Sequence, residues 1–281
     1  MLGLFFELYE PPSQAIIADL TDARSRPAAF GLLSSAMALA GVAAGLLAAE
    51  LGGIDLRWLL VADAASCLLC AATVLLVVRA DISTPAGTSH VAMSDAWRDR
   101  RLLLMLTAGT GFAVTYLQIT MSVPLTLPAR GLPTADAGIL FTISAATIVL
   151  GQPLLRWGPL GDRTGFEVMS IGYAVLAVGL AATGLATTLP AFVASTVVWS
   201  LGDLLLLGHS WSVVSELAPE NARARYLAVY GLSWGIAAVI APVLGTQLLS
   251  AGGPVALWST LAGSALVLAA VQPGLARRVA K

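Results

Sequence analysis

The sequence has little charge. Of its 281 residues only 11% are charged, whereas 58% are hydrophobic, and the mean hydropathy is +0.86. A soluble domain keeps about a quarter of its residues charged to cover its surface. The composition therefore predicts an integral membrane protein whose main solvent is the lipid bilayer.

Residues that bind nucleotides, metals or nucleic acids are also scarce. The only lysine is Lys281, so the chain lacks the lysine of a glycine-rich phosphate loop, and ATP hydrolysis is excluded. Two histidines and two cysteines cannot form a zinc cluster, and we expect no cofactor. Cys67 and Cys70 form C-x-x-C inside an apolar run, where we expect packing rather than redox chemistry. The net charge of −1 leaves no basic surface for nucleic acid.

Protease motifs inside the apolar segments are incomplete. The stretch "GHSWS" (208–212) lacks the closing glycine of G-x-S-x-G. The stretch "SLGD" (200–203) has Ser200 in place of the first glycine of the G-x-G-D pattern of aspartyl proteases. We therefore do not expect an enzyme.

Nine apolar segments have the length of a membrane-spanning helix, about 20 residues. The bilayer core contains no water to satisfy free backbone groups, and the segments are too long for barrel strands. The predicted fold class is thus an all-α integral membrane protein with nine transmembrane helices. The segments run near residues 2–20, 28–49, 57–78, 102–126, 134–155, 166–188, 190–215, 226–249 and 255–275.

The basic residues predict the orientation of these helices. If the segments alternate in direction, thirteen basic residues collect on one side, and only Arg57 and Arg130 lie on the other. Cytoplasmic loops carry the excess of basic residues, so we expect a plasma-membrane protein with a cytoplasmic C-terminus. The thirteen residues are Arg24, Arg26, Arg79, Arg98, Arg100, Arg101, Arg156, Arg163, Arg223, Arg225, Arg277, Arg278 and Lys281.

An internal repeat relates the first three segments to the last three. The stretch "ADLTDARSR" (18–26) resembles "SELAPENAR" (215–223), and further matches follow at an offset of 200 residues. These matches pair Phe30 with Tyr230, Gly31 with Gly231, Gly45 with Gly245, Gly52 and Gly53 with Gly252 and Gly253, and Trp58 with Trp258. Parallel six-helix repeats occur in one large class of transporters, so the repeat predicts three further helices, roughly 100 residues, before residue 1.

The loop "GPLGDRTG" (158–165) resembles the cytoplasmic motif G-x-L-a-D-r-x-G of the major facilitator superfamily, at Gly158, Leu160, Asp162, Arg163 and Gly165. The runs "ELYEPPSQAIIADL" (7–20) and "LAPENARARYLAVYGLSWG" (217–235) are similar to the fourth helix and to the tenth-to-eleventh connection of drug-efflux-like members. The resemblance covers essentially the whole chain, as helices four to twelve of twelve.

The resemblance implies a secondary active transporter that exports small amphipathic compounds, coupled to protons, by alternating access between two helical halves. It implies an N-terminal remainder at 1–79, a cytoplasmic linker at 80–101 and a C-terminal six-helix half at 102–281. The alternative is a truncated, non-transporting membrane protein or a mis-started fragment of such a transporter, because a cavity lacking three helices would lie open to lipid.

The loop 158–165 is the predicted gating element. Its glycines permit a tight reversal, and Asp162 is able to cap the next helix or pair with a basic residue of the other half. A contact formed in only one state would bias the movement of the halves. The alternative is a capped, solvated turn.

Ionisable and polar residues inside the spans are the remaining candidates. A charge at the bilayer centre costs about 2.5–3.5 kcal/mol, so such residues tend to face a cavity. Asp203 lies near the middle of its segment, and Glu7 and Glu10 lie in the first one. We predict proton coupling or substrate contact for these three acids and for the polar and aromatic residues Tyr116, Gln118, Gln152 and Trp199. The alternative for each is packing between helices.

Overall fold

A computed structural model describes residues 14, 16–18, 20–22, 25–52, 56–77, 93–156, 160, 163–219 and 222–279. The regular structure within these ranges is helical, without β-strands. The helices are α1 (Arg26–Gly52), α2 (Leu56–Val77), α3 (Met93–Arg98), α4 (Arg100–Ala129), α5 (Asp136–Gly151), α6 (Gly165–Leu185), α7 (Leu189–Leu217) and α8 (Arg223–Val279), with a 3-10 turn at Gln152–Arg156 after α5.

Six helices in the described part are long and apolar enough to cross a membrane, namely α1, α4, α5 with its 3-10 turn, α6, α7 and α8. Helix α2 contributes a shorter apolar stretch, Leu60–Thr73. These helices confirm the all-α membrane fold. The predicted helix at 2–20 lies largely outside the described residues, among which residues 14, 16–18 and 20 are helical.

Helix α8 joins two segments that the sequence predicts as separate helices. Its 57 residues contain one non-helical position, Gly253, with φ 64° and ψ −164°. A side chain is strained at a positive φ, so glycine suits this break. We refer to residues 223–252 as the first half of α8 and to residues 254–279 as its second half.

The end of α5 and the start of α4 differ from the prediction. The segment 134–155 is expected as one helix, but it tightens into a 3-10 turn at Gln152, next to Pro153, which lacks an N–H and restricts the residue before it. The predicted linker 80–101 contains α3, and α4 begins at Arg100 because the Asp99 side chain accepts from the Arg101 N–H at 2.8 Å.

The chain divides into two compact units, one of residues 1–38 with 91–281, and one of residues 39–90. In the second unit the apolar side chains of α2 point outward, as Leu68 and Leu69 do. Cys67 and Cys70 on this helix are free and exposed.

In the first unit, α6 and α7 approach until their backbones touch. A Cβ at Gly202 would lie 2.7 Å from the Leu176 nitrogen, and one at Gly179 would lie 2.5 Å from the Trp199 nitrogen. Small residues permit such close packing where lipid removes the hydrophobic drive for helix association. The glycines therefore set the distance between these two helices.

Hydrogen bonds fix the path of α8 along this bundle. Tyr226 donates to Asp99 at the start of α4, at 2.8 Å, and Trp258 donates to Thr126 near the end of α4, at 3.0 Å. Ser170 near the start of α6 donates to the Ala269 carbonyl, at 2.9 Å. The two halves of α8 therefore run in opposite directions.

Candidate functional site

Asp203 lies in the middle of α7 with 1% of its surface exposed. Neither carboxyl oxygen has a hydrogen-bond partner among the described residues. A charged carboxylate buried without a partner is costly, whereas a neutral acid costs far less. The site therefore suits an acid that changes its protonation when its surroundings change.

An aromatic cluster lies beside Asp203. The Phe112 ring is 6.2 Å from Tyr173 and 6.2 Å from Trp234, and Tyr116 packs edge-on to Trp234 at 5.2 Å. Tyr116 is near enough to Asp203 to interact with it electrostatically. These rings bring α4, α6 and α8 together, and Tyr116 links the cluster to the acid of α7. Such a cluster is an environment for an apolar or cationic organic group.

Gln118 is fully buried and holds α4 against α8. Its Nε2 donates to the Ala241 carbonyl, and its Oε1 accepts from Ser122 at 2.9 Å. A Cβ at Gly245 would collide with this amide. Both ends of the Gln118 side chain are thus used between or along helices, which agrees with the packing alternative.

Trp199 is buried, and its backbone carries the close approach to Gly179. One residue on, Ser200 donates to Ser144 of α5 at 2.9 Å. This part of α7 thus packs against α6 and α5. The candidate residue Trp199 therefore lies on the same helix as Asp203, but it is packed against a neighbouring helix.

Gln152 connects the end of α5 to α1. Its Nε2 donates to the Gly31 carbonyl at 2.9 Å and to the Ser35 hydroxyl at 2.7 Å. A Cβ at Gly31 would lie 2.6 Å from Leu155, and one at Gly208 would lie 2.7 Å from the Pro27 carbonyl. The first turns of α1 therefore contact the 3-10 turn and α7 closely at Gly31 and Pro27.

Within the predicted gating loop, Leu160, Arg163 and Gly165 are described, whereas Gly158 and Asp162 lie outside the described residues. The N-cap of α6 is Thr164. The Thr164 hydroxyl accepts from the Glu167 N–H, and Glu167 accepts from the Thr164 N–H at 3.0 Å. The T-x-x-E spacing at 164–167 is the capping signature that identifies this start.

The arginines predicted in the cytoplasmic loops, near residues 24–26 and 223–225, differ in their structural surroundings. Arg26 is buried and donates to the carbonyls of Ala18 and Thr21, at 3.1 and 2.8 Å, so it binds the end of the preceding helix. Hydrogen bonds from the Ser25 side chain and N–H lower the pKa of the nearby Asp22 carboxyl. Arg223 and Arg225 lie in the first turn of α8. Arg24, Glu7 and Glu10 lie outside the described residues.

A cavity of about 620 Å³ lies at the end of the first unit where α1, α4 and the loop before α6 meet α7. Its polar lining residues are Arg101, Arg163, Thr164, His209, Ser212 and Glu216. His209 and Ser212 are buried, and the remaining lining is mainly apolar. We call this space the arginine cavity.

A protein-family model described as the Major Facilitator Superfamily matches residues 1–165 and again residues 130–278. The chain belongs to the major facilitator superfamily. The match confirms the resemblance stated from the loop motif and the flanking runs, and the superfamily is one of multi-pass membrane proteins.

Two members of the superfamily are similar to this chain in sequence, and one solved structure is similar to it in fold. The chain is 26% identical over 269 residues to the uncharacterized MFS-type transporter YhjO of Bacillus subtilis (strain 168), covering 93% of this chain and 65% of that protein. It is 26% identical over 222 residues to the multidrug resistance protein MdtH of Edwardsiella ictaluri (strain 93-146), covering 78% and 55%. The chain thus spans less than two thirds of the length of either relative.

The crystal structure of the human organic anion transporter MFSD10 (TETRAN) matches with a TM-score of 0.75 at 16% identity, over 93% of this chain and 67% of that one. At this identity the likeness shows the major facilitator fold.

Proposed function

We propose that this major facilitator chain takes part in proton-coupled export of small amphipathic compounds by alternating access. The observation that carries the proposal is Asp203, an acid buried in the middle of a membrane-spanning helix without a hydrogen-bond partner in the described structure. An acid that loses its proton only when water or substrate reaches it can link proton movement to a conformational change. MdtH, a relative whose name describes multidrug resistance, supports the export of drug-like compounds.

The proposal assigns residues 1–79 to the N-terminal half, 80–101 to a cytoplasmic linker and 102–281 to the C-terminal half. It places the C-terminus in the cytoplasm of a plasma-membrane protein, as the basic residues indicate. The aromatic cluster with Asp203 forms the binding region for substrate, and Arg163 belongs to the gating loop.

Transport in reconstituted vesicles tests this function. With an imposed proton gradient, we expect accumulation of an amphipathic fluorescent dye against its own gradient. A protonophore should abolish accumulation without affecting passive exchange. Accumulation that persists after the proton gradient has been dissipated would show that another driving force is used.

The bond from Gln152 to Gly31 and Ser35 suits a contact that breaks when the halves separate. Gln152→Ala removes the amide that joins the end of α5 to α1. We therefore expect the state in which the two halves are separated at this contact to gain population. With Cys67→Ala and Cys70→Ala in the background, a cysteine at Val213, which lines the arginine cavity, should react severalfold faster with a membrane-impermeant maleimide.

Thr147→Ala is the matched control for Gln152→Ala. Thr147 lies on the same helix, and its hydroxyl donates to the Ile143 carbonyl of the same helix, at 2.8 Å. Its removal should leave the labelling rate unchanged. Equal rates in the two variants would mean that the Gln152 bond does not hold a closed state.

A further inference from the structure

Among the described residues, the arginine cavity is lined by two arginines and one acid, so its lining carries a net positive charge. Arg101 and Arg163 both line it, and neither has an ion pair among the described residues. Asp99, the acid nearest to Arg101 in the chain, accepts from the Arg101 N–H and from the Tyr226 hydroxyl. Glu216, the acid that lines the cavity in the described part of the chain, accepts from Ser212 at 3.1 Å.

Part of the cavity wall consists of buried polar side chains rather than solvent-exposed ones. Ser212 is 2% exposed and His209 is 6% exposed. The His209 Nδ1 lies 2.9 Å from the Leu205 carbonyl, which only accepts, so Nδ1 carries the proton and Nε2 stays open for another partner. The polar groups of α7 therefore form a buried part of the wall of the same cavity that the two arginines line.

The rest of the wall is apolar, and the space has the size of a ligand site. Leu155, Leu160, Phe166 and Val213 line it, and its volume of about 620 Å³ is that of a site for a drug-sized molecule. The start of α6 also lines it, and the positive end of a helix dipole favours negative charge. Guanidinium groups beside apolar walls match a molecule with an anionic head and an apolar body.

We propose that the arginine cavity binds the anionic group, carboxylate or phosphate, of an amphipathic molecule. As a statement about the substrate class, the inference rests on the proposed export function. As a statement about binding, it stands on the cavity alone. The two sources of such a molecule are a free amphipathic anion and an anionic lipid headgroup.

Calorimetric titration of the detergent-purified chain tests the site with 2-naphthoate, and with 2-naphthamide as its neutral analogue. We expect naphthoate to bind more tightly than the amide. Arg101→Gln and Arg163→Gln should each weaken naphthoate binding about tenfold, as expected for the loss of a charge-assisted hydrogen bond. Naphthamide binding should change little in either variant.

Two further variants separate this site from general charge effects. Glu216→Gln removes the cavity's acid and should strengthen naphthoate binding, which is opposite to the effect of the arginine variants. Arg277→Gln makes the same charge change at an exposed position in the last turn of α8, outside the cavity lining, and should leave binding unchanged. Equal affinities for naphthoate and naphthamide, or an equal loss in Arg277→Gln and Arg163→Gln, would overturn the proposal.

Binding measurements in lipid nanodiscs distinguish a free amphipathic anion from an anionic lipid headgroup as the ligand. If a lipid headgroup occupies the cavity, nanodiscs that contain phosphatidylglycerol should bind naphthoate more weakly than phosphatidylcholine nanodiscs, and Arg163→Gln should remove the difference. If the ligand is a free anion, the ratio between the two lipids should be the same in both proteins. Because binding needs no proton gradient, a chain that binds naphthoate but does not transport would refute the export function and leave the site intact.

Discussion

Asp203→Asn is expected to abolish proton-driven accumulation of substrate, with a loss of at least about tenfold. The amide has nearly the shape of the acid but cannot release a proton, so the packing of α7 stays and the protonation change is lost. Exchange of substrate without a gradient should continue in this variant. Asp203→Glu should keep part of the accumulation because it preserves the acid.

The measurement is accumulation with and without an imposed proton gradient, together with thermal unfolding of each variant in detergent. Ser200→Ala is the control, since Ser200 is a buried polar residue on the same helix whose bond goes to Ser144. It should leave the dependence on the gradient intact. Full gradient-driven accumulation in Asp203→Asn would remove this acid from the coupling role.

Gly202→Val should destabilise the helical bundle more than any surface change. A Cβ there would lie 2.7 Å from the Leu176 nitrogen and 2.9 Å from the Gly172 carbonyl oxygen. These are backbone atoms of α6, which move only if the whole helix moves. Overpacking of this kind costs about 1–3 kcal/mol and sometimes more, so we expect a much lower melting temperature or aggregation on extraction.

Gly263→Val is the comparison for this prediction. Apart from the adjoining backbone of its own helix, no atom lies within 4 Å of a Cβ built at Gly263, and its φ is not positive. It makes the same chemical change within the second half of α8. Similar melting temperatures for the two variants would show that contact between α6 and α7 does not limit stability.

The sequence predicts the helices well because the bilayer imposes one simple rule, an apolar run of sufficient length. Five of the predicted segments correspond to α1, α4, α6, α7 and α2 to within a few residues, and α8 contains two more. The exceptions are local. The 3-10 turn at Gln152 results from Pro153, and the cap of α6 is Thr164 because its partner Glu167 follows at the right spacing.

The candidate site is only partly readable from the sequence. Asp203 is identifiable as an acid inside an apolar run, but its lack of a partner depends on residues of other helices. For Gln118 and Gln152 the type of residue suggests substrate contact, and only the positions of Ala241 and Gly31 show what these amides bind. Arg101 and Arg163 line one cavity because the start of α4 and the loop before α6 come together there.

The positive φ of Gly253 has a consequence for how the chain enters the membrane. A straight helix of this length would extend about 85 Å at 1.5 Å per residue, nearly three times the hydrocarbon thickness of about 30 Å. With a break at this glycine, α8 can enter the bilayer as one hairpin during synthesis, so that Arg223 and Arg278 remain on the same side and neither has to cross. A bulkier residue at position 253 would therefore impair the insertion of α8 into the membrane, a step that precedes formation of the helical bundle.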